Sequence, residues 1–549
     1  MKKLLFLTTL LFNIYIINAQ EAGIFFGGLE SNSQWLQTDQ GINFLAPEDQ
    51  FRANNYLLLN YNLGNFTAGV QYESYLPSAL LGYDPIFDNQ NNVATYYFNY
   101  KDEKIDVTGG YFYEQFGSGL ILRSWEDRQL GLNNALKGLN IKFNATKDLA
   151  IKAVFGKQRY GFEESEGTIQ GLDTDLNLSG ALNIETVDIQ MGLSYVGRNQ
   201  STNGNENIPA NVGAYGGRLD FVIGNFYAGV EAVIKDPDAI ANEGQLSSNK
   251  LYDGTALQVN AGYAKKGIGF NATFRRLENF SFFSDRLAEG NVFNQQVVNY
   301  VPGLTKQQDY LLTNIYVYNP QPRLIIESFD QRSGEVGTQF DLFYSFKKGT
   351  SLGGKYGTKL AMNFSYWGGL DAEYNIENRW YKAKFIGKGH QLFRDINFEI
   401  KKKWSKKWNS VFTYQNVIVD KGVVEGGPLG NSSILANIGV VEATRRFEDG
   451  KALRLVAQHL WSEDDRKNWA AAVVEYNFST SFALYAADNW NYGGLNKIHY
   501  YSLGGSYSKG NTRLGVNYGR QRGGLICIGG VCRFVPENTG LSANLTVAF

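Results

Sequence analysis

Few residues in this sequence have the types and spacing that chemistry requires. Histidine occurs three times, as His390, His459 and His499, and none lies in a GxSxG, HExxH or phosphate-loop setting. Each falls in or beside an alternating segment, where an aromatic girdle or a local hydrogen bond is the ordinary role; His499 stands next to Tyr500 and Tyr501. The reading is therefore a non-enzymatic chain that needs no cofactor. Outer-membrane hydrolases build sites from strand residues without local motifs, so this expectation rests on the missing motif alone. Cys527 and Cys532 lie in ICIGGVC, with two glycines between them that permit a tight reversal. Two lone thiols lack the further ligands zinc needs, and export favours oxidation, so a disulfide closing the last outer loop is expected.

Two long segments carry the remaining candidates. In Gly117 to Gly138 the apolar Leu120, Ile121, Leu122, Trp125, Leu130 and Leu132 are interleaved with Arg123, Glu126, Asp127 and Arg128. Such a segment needs somewhere dry to pack. Its charges could line a constriction that selects solutes. Alternatively they pair with one another and hold the segment against a wall, which the adjacency of both signs in RSWEDR favours. Val292 to Glu327 contains Tyr300, Tyr310, Tyr316 and Tyr318 with Pro302, Pro320 and Pro322. These rings could form a platform that stacks sugars or grips a chain, or they could be packing for a long ordered loop. The run KKKWSKKW, Lys401 to Trp408, could meet anionic head groups or a periplasmic partner, although a solvated turn with a tryptophan anchor is the simpler reading.

The elements that must position these residues are strands. The chain has 549 residues, 52 Lys plus Arg against 53 Asp plus Glu, 14% aromatics, 61 Gly and only 10 Pro. No basic surplus points to nucleic acid. Residues 1–20, MKKLLFLTTLLFNIYIINAQ, carry Lys2 and Lys3, an apolar core and a small residue before Gln20, which reads as a cleaved export signal. After it no stretch approaches 18 consecutive apolar residues, so a membrane helix is not expected. Period-two alternation recurs instead. Phe66, Ala68, Val70 and Tyr72 share one face against Thr67, Gly69, Gln71 and Glu73, and Leu514, Val516 and Tyr518 oppose Arg513, Asn517 and Arg520. The same pattern returns from Phe226 to Ile234 and from Leu257 to Tyr263.

Tight connections such as LGN before Phe66, IGN before Phe226, EDGK at Glu448 and SKGN at Ser508 join strands of about ten residues, the length of a tilted membrane strand. Long polar stretches lie between the hairpins: Gln158 to Asp175, Asn199 to Ala214, Asp236 to Asp253 and Asn279 to Glu335. A first strand near Ala22 to Leu29, eleven hairpins and a last strand Leu541 to Phe549 give about 24 strands, with 20 to 26 as the range. The expected fold is all-β: one large antiparallel transmembrane β-barrel over residues 21–549, with short periplasmic turns, long extracellular loops, and segments 117–138 and 292–327 folded inward.

The last strand, LSANLTVAF, alternates and ends on Phe549, which resembles the signal read by the barrel-assembly machinery. The segments GSGLILRSWEDRQLGLNNALKG, NYVPGLTKQQDYLLTNIYVYNPQP and GGLICIGGVCRFVPENTG, with the signal ending in NAQ, resemble an uncharacterised barrel family of Bacteroidota outer membranes. That resemblance implies outer-membrane location and fold and carries no activity. A barrel of this size encloses a channel that must be plugged or narrowed. TonB-dependent transporters carry a folded plug ahead of the barrel, whereas alternation here starts within a few residues of Gln20. Two functions remain: a porin-like channel for solutes, or an accessory barrel of an export or assembly complex that contacts other envelope proteins. Outer-membrane lipid is a partner in both.

Overall fold

The computed structural model describes residues 23–81, 89–242, 244–528 and 531–549. The expected signal segment, residues 1–20, lies outside them. Twenty-four strands form a single antiparallel sheet. Each pairs with its neighbours in chain order, and the first, Ile24–Leu36, also pairs with the last, Asn538–Ala548, from Gly28 opposite Ala548 to Leu36 opposite Gly540. The sheet therefore closes on itself and leaves no free edge. Among the described residues helix is confined to short pieces such as Leu178–Leu182 and Lys421–Glu425. The fold is the large antiparallel β-barrel that the alternation predicts.

Alternation builds the wall because each strand meets two different solvents. Along Phe66–Leu76, Gln71, Glu73 and Tyr75 are buried while Phe66, Tyr72 and Leu76 are exposed. Along Phe226–Asn242, Glu231, Val233 and Lys235 are buried, yet Ile234 is 61% exposed. Leu193 and Leu503 stand out similarly, at 60% and 63%. Large apolar groups outside with carboxylates and lysine inside invert the arrangement of a water-soluble protein. This is how a wall between lipid and a polar bore is dressed.

One end of the barrel holds the tight turns. Gly64–Asn65 and Gly224–Asn225 each join two strands with the glycine at positive φ, 55° and 59°, a backbone that a two-residue hairpin requires and a Cβ would strain. Two connections at this end are longer, residues 178–187 and 347–357. The opposite end holds the long segments, among them 113–135, 279–333, 370–390 and 522–537.

Two stretches expected as loops are hairpins. Gln158 to Asp175 belongs to Leu149–Tyr160 and Glu163–Asn177, and Asp236 to Asp253 belongs to Phe226–Asn242 and Gln245–Lys265. These last two strands have 17 and 21 residues, whereas about 9–11 suffice to cross lipid. Beyond the lipid both faces are wet, so polar residues replace the alternation while the backbone groups still pair with each other.

The bore contains two apolar clusters. In one, Phe116, Leu120, Ile121 and Leu122 pack with Phe280, Phe282 and Val298 against wall residues that include Val154, Val196 and Val233. In the other, Leu312, Ile315, Tyr316 and Tyr318 pack against Trp367, Phe393, Val417, Ile438 and Trp469. Burying each such side chain contributes about 1.5–3 kcal/mol. Segment 113–135 also touches strands far apart around the wall: the Ser118 amide donates to Glu231 at 3.0 Å, and Arg128 pairs with Glu30 at 2.9 Å. Contacts with such separated strands require the segment to cross the interior.

Candidate functional site

The interior is polar where the apolar clusters end, and the charged segment 123–128 sits at that boundary. Arg128 reaches Glu30 at 2.9 Å, Glu126 at 3.3 Å and the side-chain oxygen of Gln71 at 3.2 Å, with its guanidinium 4.7 Å from the centre of the Tyr56 ring. Glu126 also accepts from Gln71 Nε2 at 3.0 Å and Asn133 Nδ2 at 3.2 Å. This hub ties the segment to strands Ile24–Leu36 and Phe66–Leu76. The Arg128 guanidinium is held above its ordinary range because Glu126 and Glu30 outweigh the opposing effect of burial. Asp127 serves locally, accepting the Leu130 amide at 3.0 Å. Arg123 lies elsewhere, 4.0 Å from the ring centre of Tyr300 and 5.0 Å from that of Trp125, and so joins the two inward segments. The four charges are thus divided among three tasks and do not form a ring.

The four tyrosines are likewise dispersed. Tyr300 meets Arg123 and Trp125. The Tyr310 hydroxyl donates to Glu442 at 3.2 Å and that of Tyr316 to Asp465 at 3.0 Å. Tyr318 stacks on Trp367 and donates to Glu335. Burial, reinforced by the adjacent carboxylate, pushes the Tyr310, Tyr316 and Tyr318 hydroxyls above the usual phenol range. Tyr310 and Tyr318 anchor the segment at separate places on the wall, Tyr316 on the connection that carries Asp465 and Tyr300 on the other inward segment, and no ring contact joins the four among the described residues.

Cys527 and Cys532 form a disulfide across the short ribbon Gly524–Ile528 and Val531–Val535. The ribbon does more than close an outer loop. Leu525 and Cys527 pack on Val317, and Gln307 Nε2 donates to the Cys527 carbonyl at 2.9 Å, so the bridge is docked on the second inward segment.

Two cavities flank this ribbon. The larger, about 840 Å³, lies between residues 307–317 and the wall strands from Ala452–Trp461 to Thr512–Gln521, and Cys527 borders it. Asp309, Arg454, Glu475, Arg520 and Arg522 give it charges of both signs, and Gln458 and Asn489 add neutral polar groups. Arg454 is held by Glu442 at 3.0 Å and Glu475 at 3.5 Å, and Arg520 by Asp39 at 2.8 Å. The smaller, about 330 Å³, is lined by Glu30, Asn54, Arg128, Arg533 and Asn544, and Gln521 borders both. Sequence reading missed Arg454, Glu442 and Glu475. Their only signal is a charge on the polar register of a spanning strand, a signal many positions share.

Two of the three histidines take local partners. His459 Nε2 lies 2.7 Å from the Tyr492 hydroxyl, and His499 Nδ1 lies 2.7 Å from Asp488 with its ring stacked on Trp490.

The chain matches a family of unknown function (DUF6029) over residues 1–549, and it belongs to that family. No curated protein matches it. Among solved structures it is similar to the P pilus usher (PapC) translocation pore, with 8% identity, 96% of this chain and 99% of that chain covered, and a TM-score of 0.43. It is also similar to the siderophore receptor PirA from Pseudomonas aeruginosa, with 8% identity, 97% and 82% covered, and a TM-score of 0.41. A third is Pseudomonas aeruginosa OpdK with vanillate, with 13% identity, 81% and 100% covered, and a TM-score of 0.36. These likenesses are distant, and none assigns a role to a residue of this chain.

Proposed function

We propose that this family member is an outer-membrane channel for small polar solutes, its bore narrowed by the two inward segments and its tight-turn end facing the periplasm. The observation that carries this reading is the chamber of about 840 Å³ inside a closed wall. Its volume falls in the roughly 300–1,000 Å³ range of small-molecule sites. Its lining carries Arg454, Arg520 and Arg522 with Asp309 and Glu475, and Arg454 is itself paired with Glu475, so charges of both signs lie close together and suit polar and zwitterionic solutes. The segment with Arg123, Glu126, Asp127 and Arg128 is one part of the constriction. Tyr300, Tyr310, Tyr316 and Tyr318 hold the second segment in place. The last strand, ending at Phe549, is the part offered to the barrel-assembly machinery. No catalytic step is assigned.

The test is conductance of the purified full chain in planar lipid bilayers. Stable unitary steps with weak ion selectivity are expected. A barrel that stays silent and copurifies with other envelope proteins would instead establish an accessory subunit. That second reading draws on apolar side chains standing free at the long-loop end: Leu45, Phe329, Ile386 and Leu495 are 80%, 71%, 86% and 103% exposed.

A further inference from the structure

A third cavity lies away from the chamber, where the protruding hairpin Phe226–Asn242 and Gln245–Lys265 meets segments 279–286 and 323–327. It is small, about 90 Å³, and its lining is strongly cationic. Arg198, Lys235, Arg286, Arg323 and Arg379 border it, against only Asp238 and Glu327 among the described residues.

The ion pairs leave part of this charge unmatched. Asp238 is shared between two guanidiniums, Arg198 and Arg286, each at 2.8 Å. Glu327 is taken by Arg379 at 3.4 Å. Lys235 Nζ donates to the Ser281 carbonyl at 2.9 Å, and Arg323 donates to the Asn291 carbonyl and to Asn294 Oδ1, all neutral acceptors. Arg198 Nε is buried and has no hydrogen-bond partner. Asp253 and Asp285 stand behind the lining: Asp285 is occupied by Gln200 Nε2 and the Leu287 amide, and Asp253 acts on Lys235 at a distance. Burial, with Arg332 nearby, brings the Arg323 guanidinium down to about 10, which leaves it charged at neutral pH.

Buried cations without counterions cost several kcal/mol apiece in order of magnitude, and proteins rarely assemble them without a ligand that offsets the cost. Guanidiniums from the wall and from the inward segment border the same cavity as the Lys235 ammonium. A carboxylate would compensate one charge. A phosphate group brings about 1.5–2 negative charges at neutral pH and three strong acceptor oxygens.

We infer that this cavity is a phosphate-binding site, formed by Arg323, Lys235, Arg198 and Arg286, that holds inorganic phosphate or a phosphate group carried on a lipid. The inference does not depend on whether the barrel conducts.

The experiment uses the full chain purified from membranes in a neutral detergent and a phosphate-free buffer. Calorimetric titration with inorganic phosphate should give saturable binding below millimolar concentration. Arg323→Gln and Lys235→Met should each weaken it at least tenfold, while Lys348→Gln, in the connection 347–357 at the far end, should leave it unchanged. Heat-dependent mobility on gels verifies that each variant is a folded barrel. Where a variant fails that check, a phosphate-induced rise in the wild-type melting temperature, absent with chloride at equal ionic strength, carries the decision. Native mass spectrometry separates the two sources. A retained phospholipid adduct that is lost in Arg323→Gln marks a lipid phosphate, and its absence beside a saturable titration marks the free ion. Neither heat nor adduct in the wild type would overturn the inference, as would undiminished binding in folded forms of both variants.

Discussion

Replacing Arg128 by alanine should loosen residues 124–134 from the wall while leaving the wall and the apolar packing of Phe116, Leu120, Ile121 and Leu122 intact. The side chain loses Glu30 at 2.9 Å, Gln71 at 3.2 Å and the face of Tyr56 at 4.7 Å. Its bond to Glu126 lies within the same segment and travels with it, so it adds little to the attachment. Arg128 and Glu30 are 23% and 29% exposed, which places their charge-assisted bond at the screened, lower end of its range, about 1.5 kcal/mol. The neutral acceptor and the ring contribute roughly 0.5–1 kcal/mol each. The sum approaches 3 kcal/mol, and at about 1.4 kcal/mol per decade local opening becomes roughly a hundredfold more populated. Hydrogen exchange followed by mass spectrometry reads that change directly. Peptides covering Ser124 and Asn134, whose amides bond to Glu114 and Trp125, should exchange about a hundredfold faster, while wall residues 139–143 keep their rate. Arg128→Lys keeps the charge but not the fork and should fall between, near tenfold. A change below about threefold in the alanine variant, less than 1 kcal/mol, would refute the claim that Arg128 latches the segment.

Three further outcomes are expected. Burial opposes ionisation of Asp39, but Arg520, Thr539 and the Gly41 amide overcome it and lower its pKa. The stabilisation is therefore complete above the ordinary 3.8 and is lost as pH falls through the lower folded value. Asp39→Asn should loosen residues 37–50 by about 1–2 kcal/mol at neutral pH and remove the acid dependence of their exchange. Exchange that keeps its acid dependence in the variant would count against this. Replacing Cys527 and Cys532 by serine removes a short cross-link worth about 2 kcal/mol, so protease should cut within 524–535 while heat-dependent gel mobility of the barrel is unchanged. Finally, deleting residues 541–549 removes most of the partners that close the sheet on Ile24–Leu36 and should abolish the compact, heat-modifiable form altogether. A truncated chain that still migrates as a compact barrel would contradict the closure described here.

The wall was legible in the sequence because lipid on one side and water on the other impose period two wherever a strand crosses, as in Phe66–Leu76. The strand count of 24 followed from it. Legibility stopped where one of those solvents stopped. The outer halves of Glu163–Asn177, Phe226–Asn242 and Gln245–Lys265 are wet on both faces, so their sequence carries the polarity of a loop although the backbone remains paired. The apolar character of Leu120, Ile121 and Leu122 signalled a segment that needs dry packing, but a local pattern cannot name a distant partner. Arg128 and Glu30 are 98 residues apart, and Tyr310 and Glu442 are 132 apart. The same separation explains why the sequence left open whether the four charges line a constriction or pair locally and whether the four tyrosines form a platform or pack, where the fold spreads them among unrelated neighbours.

The hollow and the join coincide. The two apolar clusters draw on the wall from Phe112 round to Tyr500, whereas the smaller cavity lies directly behind Ile24–Leu36, Phe51–Leu63 and Asn538–Ala548. The arc in which head meets tail is therefore held by backbone pairing and by the tie from Arg128 to Glu30, with a cavity rather than an apolar cluster behind it. Whatever occupies that space adds bracing at the place where the cylinder joins its own ends.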